Sequence, residues 1–180
     1  MKGIVFTEFL DLVEERFGCE MVDTIIEKSD LPSKGSYTAV GTYDHAEMLS
    51  LLGNLSHETN IPTNDLLRLY SNQLFDTLMG GYKKHLVNIN SAFELLSAIE
   101  SYIHVEVRKL YPDAELPYFE TEMLSPDQLR MVYSSERKMW AFGLGLMEGC
   151  FKHFNETAQI THTLLTEDGS SVEFIITRNV

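Results

Sequence analysis

The stretch "ESYIHVEVRKLYPDAELPYF", Glu100 to Phe119, decides how the rest of the chain is read. Its first half keeps a helical apolar pattern with one histidine, His104, late in it, and Tyr111 and Pro112 then break the pattern. Proline has no backbone N–H and its ring clashes with the preceding turn, so a helix ends there. A histidine in such a place is either a core residue with satisfied ring nitrogens or the single protein ligand of something large and apolar. Periodicity alone leaves both open.

Upstream of this stretch the pattern stays helical. Phe93, Leu96, Ile99, Ile103, Val105 and Val107 predict one long helix from Asn90 to about Leu110, carrying His104. Residues 3–17 and 19–29 predict two short helices parted by Gly18, the second stopped by "SDLPSKGS". Helical spacing returns over 44–58 and 63–79, where Gly80 and Gly81 are expected to close the helix. Downstream the period changes. Residues 115–123 and 128–135 read as extended segments around "SPD", and "KMWAFGLGLMEGCFKHF" returns to helix. "AQITHTLLTE" and "SVEFIITR", joined by "DGS", give a hairpin signal. The expectation is an α+β fold, with a helical N-terminal part followed by an antiparallel sheet of about four strands and a crossing helix. No linker interrupts it, so residues 1–180 are expected to form a single domain.

Composition excludes several function classes. The formal charge of −13 opposes binding to a phosphate backbone, which requires clustered Lys and Arg to release counterions. Nucleic acid and anionic membranes are not expected partners. No run of apolar residues is long enough to span a bilayer, and the opening "MKGIVFTEFLDLVEERFG" carries acidic residues throughout. Cys19 and Cys150 stand far apart without a CxxC, so neither a disulfide framework nor a thiolate metal site is indicated, and a reducing cytoplasm is the expected setting.

Two constellations could carry chemistry. The histidines at 45, 57, 85, 153 and 162 show no paired ligand spacing with His104. A haem iron, however, needs only one axial imidazole. The second constellation is "YSSER", in which Tyr133, Ser135 and Arg137 alternate. In an extended segment they share one face, and a phenol, a hydroxyl and a guanidinium together suit carboxylates or a phosphate. Without other support this is an ordinary polar strand end.

Together these features resemble a family. The opening segment, the histidine-bearing helix followed by "RKLYPDAELPYF", the YxSxR signature as "YSSER" and the following "RKMWAFGLGLMEG" are similar to the haem-nitric oxide/oxygen binding domains, bacterial relatives of the sensory domain in the β subunit of soluble guanylate cyclase. The resemblance spans essentially the whole chain and implies haem b buried between the helical part and the sheet. It implies His104 as the proximal iron ligand, and Tyr133, Ser135 and Arg137 as propionate ligands. Pro117 would press on the porphyrin. Phe142 falls where oxygen-binding members carry a hydrogen-bonding tyrosine, and Phe9, Leu74 and Val5 are the implied apolar neighbours in the distal pocket. The implied function is a non-enzymatic sensor binding NO and CO but not O2. NO would weaken or break the iron–histidine bond, changing a surface read by a separate partner, such as a histidine kinase or a cyclic-di-GMP enzyme. Some members carry a cysteine-rich zinc cluster near the C-terminus, which is not expected here, where that half has only Cys150. The alternative is a haem enzyme of peroxidase or O2-reducing type, which needs a distal acid or base that no motif supplies. An apolar scaffold without metal is a further rival.

Overall fold

The computed structural model describes residues 1–82 and 89–179, so His85 lies outside the described residues. By internal contacts the chain divides into two compact units, Met1–Tyr70 and Ser71–Val180.

The first unit is helical. Helices α1 (Gly3–Phe17) and α2 (Cys19–Lys28) are separated by Gly18, whose φ of 87° lies in the left-handed region that a side chain disfavours. α3 (His45–Thr59) starts at Asp44, whose side chain accepts from Ala46 N, and ends at Asn60 in the left-handed conformation. The apolar stripes of these helices meet in a core of Phe6, Phe9, Val13, Ile25, Met48, Leu51, Leu52 and Leu55. Gly3 permits the connecting segment to cross the start of α1, because a Cβ there would lie 1.8 Å from the Thr38 carbonyl oxygen. Gly3 N donates to Gly41 O and Ile4 N to Ala39 O along this crossing.

α4 (Thr63–Tyr82) contains the boundary between the units. It continues through Gly80 and Gly81, which were expected to stop it. Both glycines are exposed, and each costs a helix only about 1 kcal/mol relative to alanine, so they weaken the helix without ending it.

The second unit departs from expectation in its central helix. In place of one helix from 90 to 110 there are α5 (Ala92–Ser97), a π-helical turn (Ile99–Ile103) and α6 (His104–Leu110). Ser91 caps α5 by accepting from Glu94 N, while the Glu94 carboxylate accepts from Asn90 N. At the π turn, His104 N reaches back to Ile99 O. Such turns insert a residue into the helical ladder and concentrate at functional positions.

Strands β1 (Tyr118–Ser125), β2 (Gln128–Ser134), β3 (Ala158–Leu164) and β4 (Ser171–Arg178) form one antiparallel sheet in the order β1-β2-β4-β3. α7 (Trp140–His153) connects β2 to β3, completing the expected α+β architecture. Alternation along the strands turns Leu129, Met131 and Tyr133 of β2, and Val172, Phe174 and Ile176 of β4, into a core shared with Leu96, Leu144 and Met147. α7 approaches α4 closely at Gly149, where a Cβ would meet Phe75 Cβ at 2.6 Å and Asn72 O at 2.8 Å.

Candidate haem site

The π turn and α6 position the central group. His104 is 9% exposed, and its Nδ1 lies 2.8 Å from Glu100 Oε1. The same carboxylate oxygen accepts from Phe119 N, the second residue of β1, at 2.9 Å. A carboxylate only accepts, so the imidazole carries its proton on Nδ1, and Nε2 is the nitrogen left for a metal. Burial holds the His104 imidazolium below the ordinary histidine range, against the pull of Glu100 in the other direction. A neutral imidazole is the form that ligates iron.

Tyr133, Ser135 and Arg137 are brought together, though not by the strand geometry read from their spacing. β2 ends at Ser134, and Lys138 N donates to Ser135 O, closing a turn in which Lys138 has a φ of 56°. The alternation of an extended segment therefore holds for Tyr133 and is lost beyond it. The turn keeps the three groups together by other contacts. Tyr133 is 2% exposed, its hydroxyl accepts from Met139 N at 3.0 Å, and Ser135 Oγ accepts from Arg137 N at 3.2 Å. Burial pushes the Tyr133 phenol above its usual range, so it stays neutral, and hydrogen bonding to Ser135 and Met139 opposes the shift.

Arg137 Nη2 donates to Glu115 Oε2 at 2.9 Å, and that glutamate side chain is 85% exposed. A carboxylate from the surface thus already occupies the guanidinium's fork. The same donor set suits the carboxylates of a haem edge, and one imidazole with an anchored Nδ1 suits its iron.

Phe119 connects the two clusters. It pairs with Tyr133 across β1 and β2, its ring stands edge-on to Tyr133 at 5.6 Å, and its centroid is 6.3 Å from that of His104. Gly143 of α7 faces this ring, and a Cβ there would lie in ordinary contact with Phe119 Cζ at 3.4 Å. Half-buried Pro117 stands one residue before β1. Phe142, also half-buried, lies in the first turn of α7. Leu74 is buried in the second unit. In the first unit Phe9 is buried against the edge of Tyr70, and the Val5 carbonyl accepts from the Tyr70 hydroxyl.

The residue that sequence reading missed is Glu100. Its position four before a histidine was visible, but acid–histidine pairs at that spacing are common on helices. Only the fold brings Phe119 N to the same oxygen.

The haem-NO-binding family model matches residues 2–162. The chain belongs to the haem-NO-binding family. H-NOX proteins from several bacteria share its fold. The unliganded Fe(II) H-NOX from K. algicida is 51% identical with a TM-score of 0.96, over 100% of this chain and 97% of the other. The H-NOX from Shewanella woodyi, solved in its Fe(II)CO state with IWP-051 bound, is 43% identical with a TM-score of 0.83, over 99% and 95%. The H-NOX from S. oneidensis in its Fe(II)NO state is 26% identical with a TM-score of 0.91, over the full length of both chains. No curated protein matches. H-NOX domains are haem-based gas sensors, and haem binding is characteristic of the family. Among the described residues no helix of this H-NOX domain is long and apolar enough to cross a membrane.

Proposed function

We propose that this H-NOX domain is a non-enzymatic, cytoplasmic sensor of nitric oxide that acts as one functional domain and signals to a separate protein, a histidine kinase or a cyclic-di-GMP enzyme. The observation that carries the reading is a buried imidazole whose Nδ1 lies 2.8 Å from Glu100 Oε1, leaving Nε2 as the nitrogen that would hold an iron. Haem b, when bound, would supply a ferrous iron able to take up a diatomic gas.

The protein's own groups do the rest. His104 would hold the iron through Nε2, and its place where the π turn meets α6 would connect the ligand to both elements. Tyr133 and Ser135 offer hydroxyls to the propionates, and Arg137 offers its guanidinium in place of the exposed Glu115 partner. Pro117, in the segment leading into β1, would press on the porphyrin. Leu74, Phe9 and Val5 provide apolar lining.

Phe142 sets the gas preference. Bound O2 draws electron density and is held by a nearby donor, whereas NO and CO bind without one. A phenylalanine offers no donor. A missing hydrogen bond to a charged group costs about 1.5–3 kcal/mol, roughly 10- to 150-fold in affinity. The known states of the relatives, Fe(II)NO in S. oneidensis and Fe(II)CO in S. woodyi, support the same ligand set.

The test is the absorption spectrum of the ferrous protein under argon, O2, CO and NO. Distinct CO and NO spectra with no stable oxy form in air are expected. A stable oxy spectrum would overturn the exclusion of O2, and absence of a Soret band after adding haemin would overturn the sensor reading altogether.

A further inference from the structure

We propose that Glu100 is the positioning residue of the site, a carboxylate that orients His104 and ties the imidazole to the first residues of β1. This rests on His104 being the axial ligand. Three observations support it.

First, a single oxygen, Glu100 Oε1, takes both His104 Nδ1 at 2.8 Å and Phe119 N at 2.9 Å. Two donors from different elements converging on one atom locate that atom far better than either alone. Second, β1 is an edge strand, whose outward N–H groups have no ladder partner. Glu100 supplies one to Phe119. A carboxylate serving only the strand edge would have no need of the imidazole, and one serving only the imidazole would have no need of the strand. Third, Glu100 lies within the π turn, so its backbone is set by the same irregularity that places His104 N on Ile99 O.

Two consequences follow. The carboxylate fixes the ring rotation and the Nδ1–H tautomer, and a hydrogen-bonded Nδ1 makes Nε2 a stronger donor to a metal. It also makes the imidazole and β1 share a partner. Motion of the ring then loosens the Phe119 N bond, two residues from Pro117 and opposite Tyr133 in the sheet. The family-level reading routes a signal through the helix, and this contact adds a route into the sheet.

The experiment compares haem-loaded wild-type protein with Glu100→Gln and Glu100→Ala, with His104→Gly in parallel. Glu100→Gln keeps an acceptor for Phe119 N, so it retains the fold, and thermal melting followed by circular dichroism verifies this. In the unliganded ferrous state the iron–histidine stretching band is expected at lower frequency in Glu100→Gln. In Glu100→Ala it should fall further, with haem loss roughly 10- to 100-fold faster. In the diamagnetic ferrous-CO form, solvent exchange of the His104 Nδ1 proton should accelerate about 10-fold or more in Glu100→Ala. An unchanged band and unchanged proton exchange in both variants would overturn the proposal. If instead His104→Gly keeps the wild-type ferrous spectrum, the axial-ligand reading fails. The Nδ1 exchange rate then decides the positioning role by itself, and a slow rate in Glu100→Ala overturns it.

Discussion

The two units use their polar networks differently. In the first, Glu47 is 4% exposed and its Oε2 accepts from Ser33 Oγ and from the Tyr37 hydroxyl at 2.9 Å. Every donor belongs to the same loop, and each is used up in closing it. In the second, Glu100 joins a helix to a strand and leaves His104 Nε2 without a hydrogen-bond partner among the described residues, while Arg137 leans on a glutamate that is mostly in solvent. A closed network of this kind stabilises a loop and does nothing further. An open one can exchange a partner, which is what binding requires.

The contrast is sharpest at Arg137 and Ser135. On the proposed role, Arg137→Ala removes a charge-assisted bond worth about 1.5–3 kcal/mol, and Ser135→Ala a neutral one worth about 1. Haem transfer to an acceptor protein should therefore be markedly faster from Arg137→Ala, with Ser135→Ala closer to wild type. Equal rates would mean that the guanidinium serves Glu115 alone and that this network is as closed as the first.

The opposite pattern is expected in the first unit. Glu47→Ala deprives the half-buried Ser33 and Tyr37 of their acceptor, and the two lost hydrogen bonds are together worth about 1–3 kcal/mol. Chemical denaturation should show the loss, while the ferrous spectrum stays that of wild type. A changed spectrum would show that Glu47 reaches beyond its loop.

The features legible in the sequence were those that depend on period or on a motif. The hairpin signal in "AQITHTLLTE" and "SVEFIITR" gave the last two strands, and the apolar pattern together with the family resemblance singled out His104. Ser135 and Arg137 were named correctly as neighbours of Tyr133 for a geometric reason that fails, because the backbone leaves the strand at Ser134 and turns. The π turn at 99–103 was invisible, since inserting a residue into the ladder changes no residue type and disturbs the hydrophobic stripe only slightly. Glu100 was hidden for a related reason. Its second partner is a backbone N–H nineteen positions away, and every residue except proline has one.

The smallest expected effect concerns Tyr37 and is read from how stability changes with pH in the alkaline range. Burial pushes its phenol from 10.0 up to about 12, and Glu47 adds to the shift. The unfolded chain ionises this phenol above about pH 10 while the folded protein keeps it protonated, so the unfolded state binds fewer protons in that window. The associated stability is therefore fully present below pH 10 and is lost as pH rises toward 12. Tyr37→Phe preserves the ring that stacks on Phe6 at 4.4 Å and removes the titrating group. It should cost about 1 kcal/mol at neutral pH through the bond to Glu47. Between pH 10 and 12 its stability should fall less steeply than that of wild type. Tyr70 and Tyr133 are shifted in the same direction, so both proteins retain some alkaline loss, and the difference between their slopes isolates Tyr37. Parallel slopes would mean that Tyr37 ionises alike in folded and unfolded protein, and the Glu47 loop would then be more open to solvent than its hydrogen bonds imply.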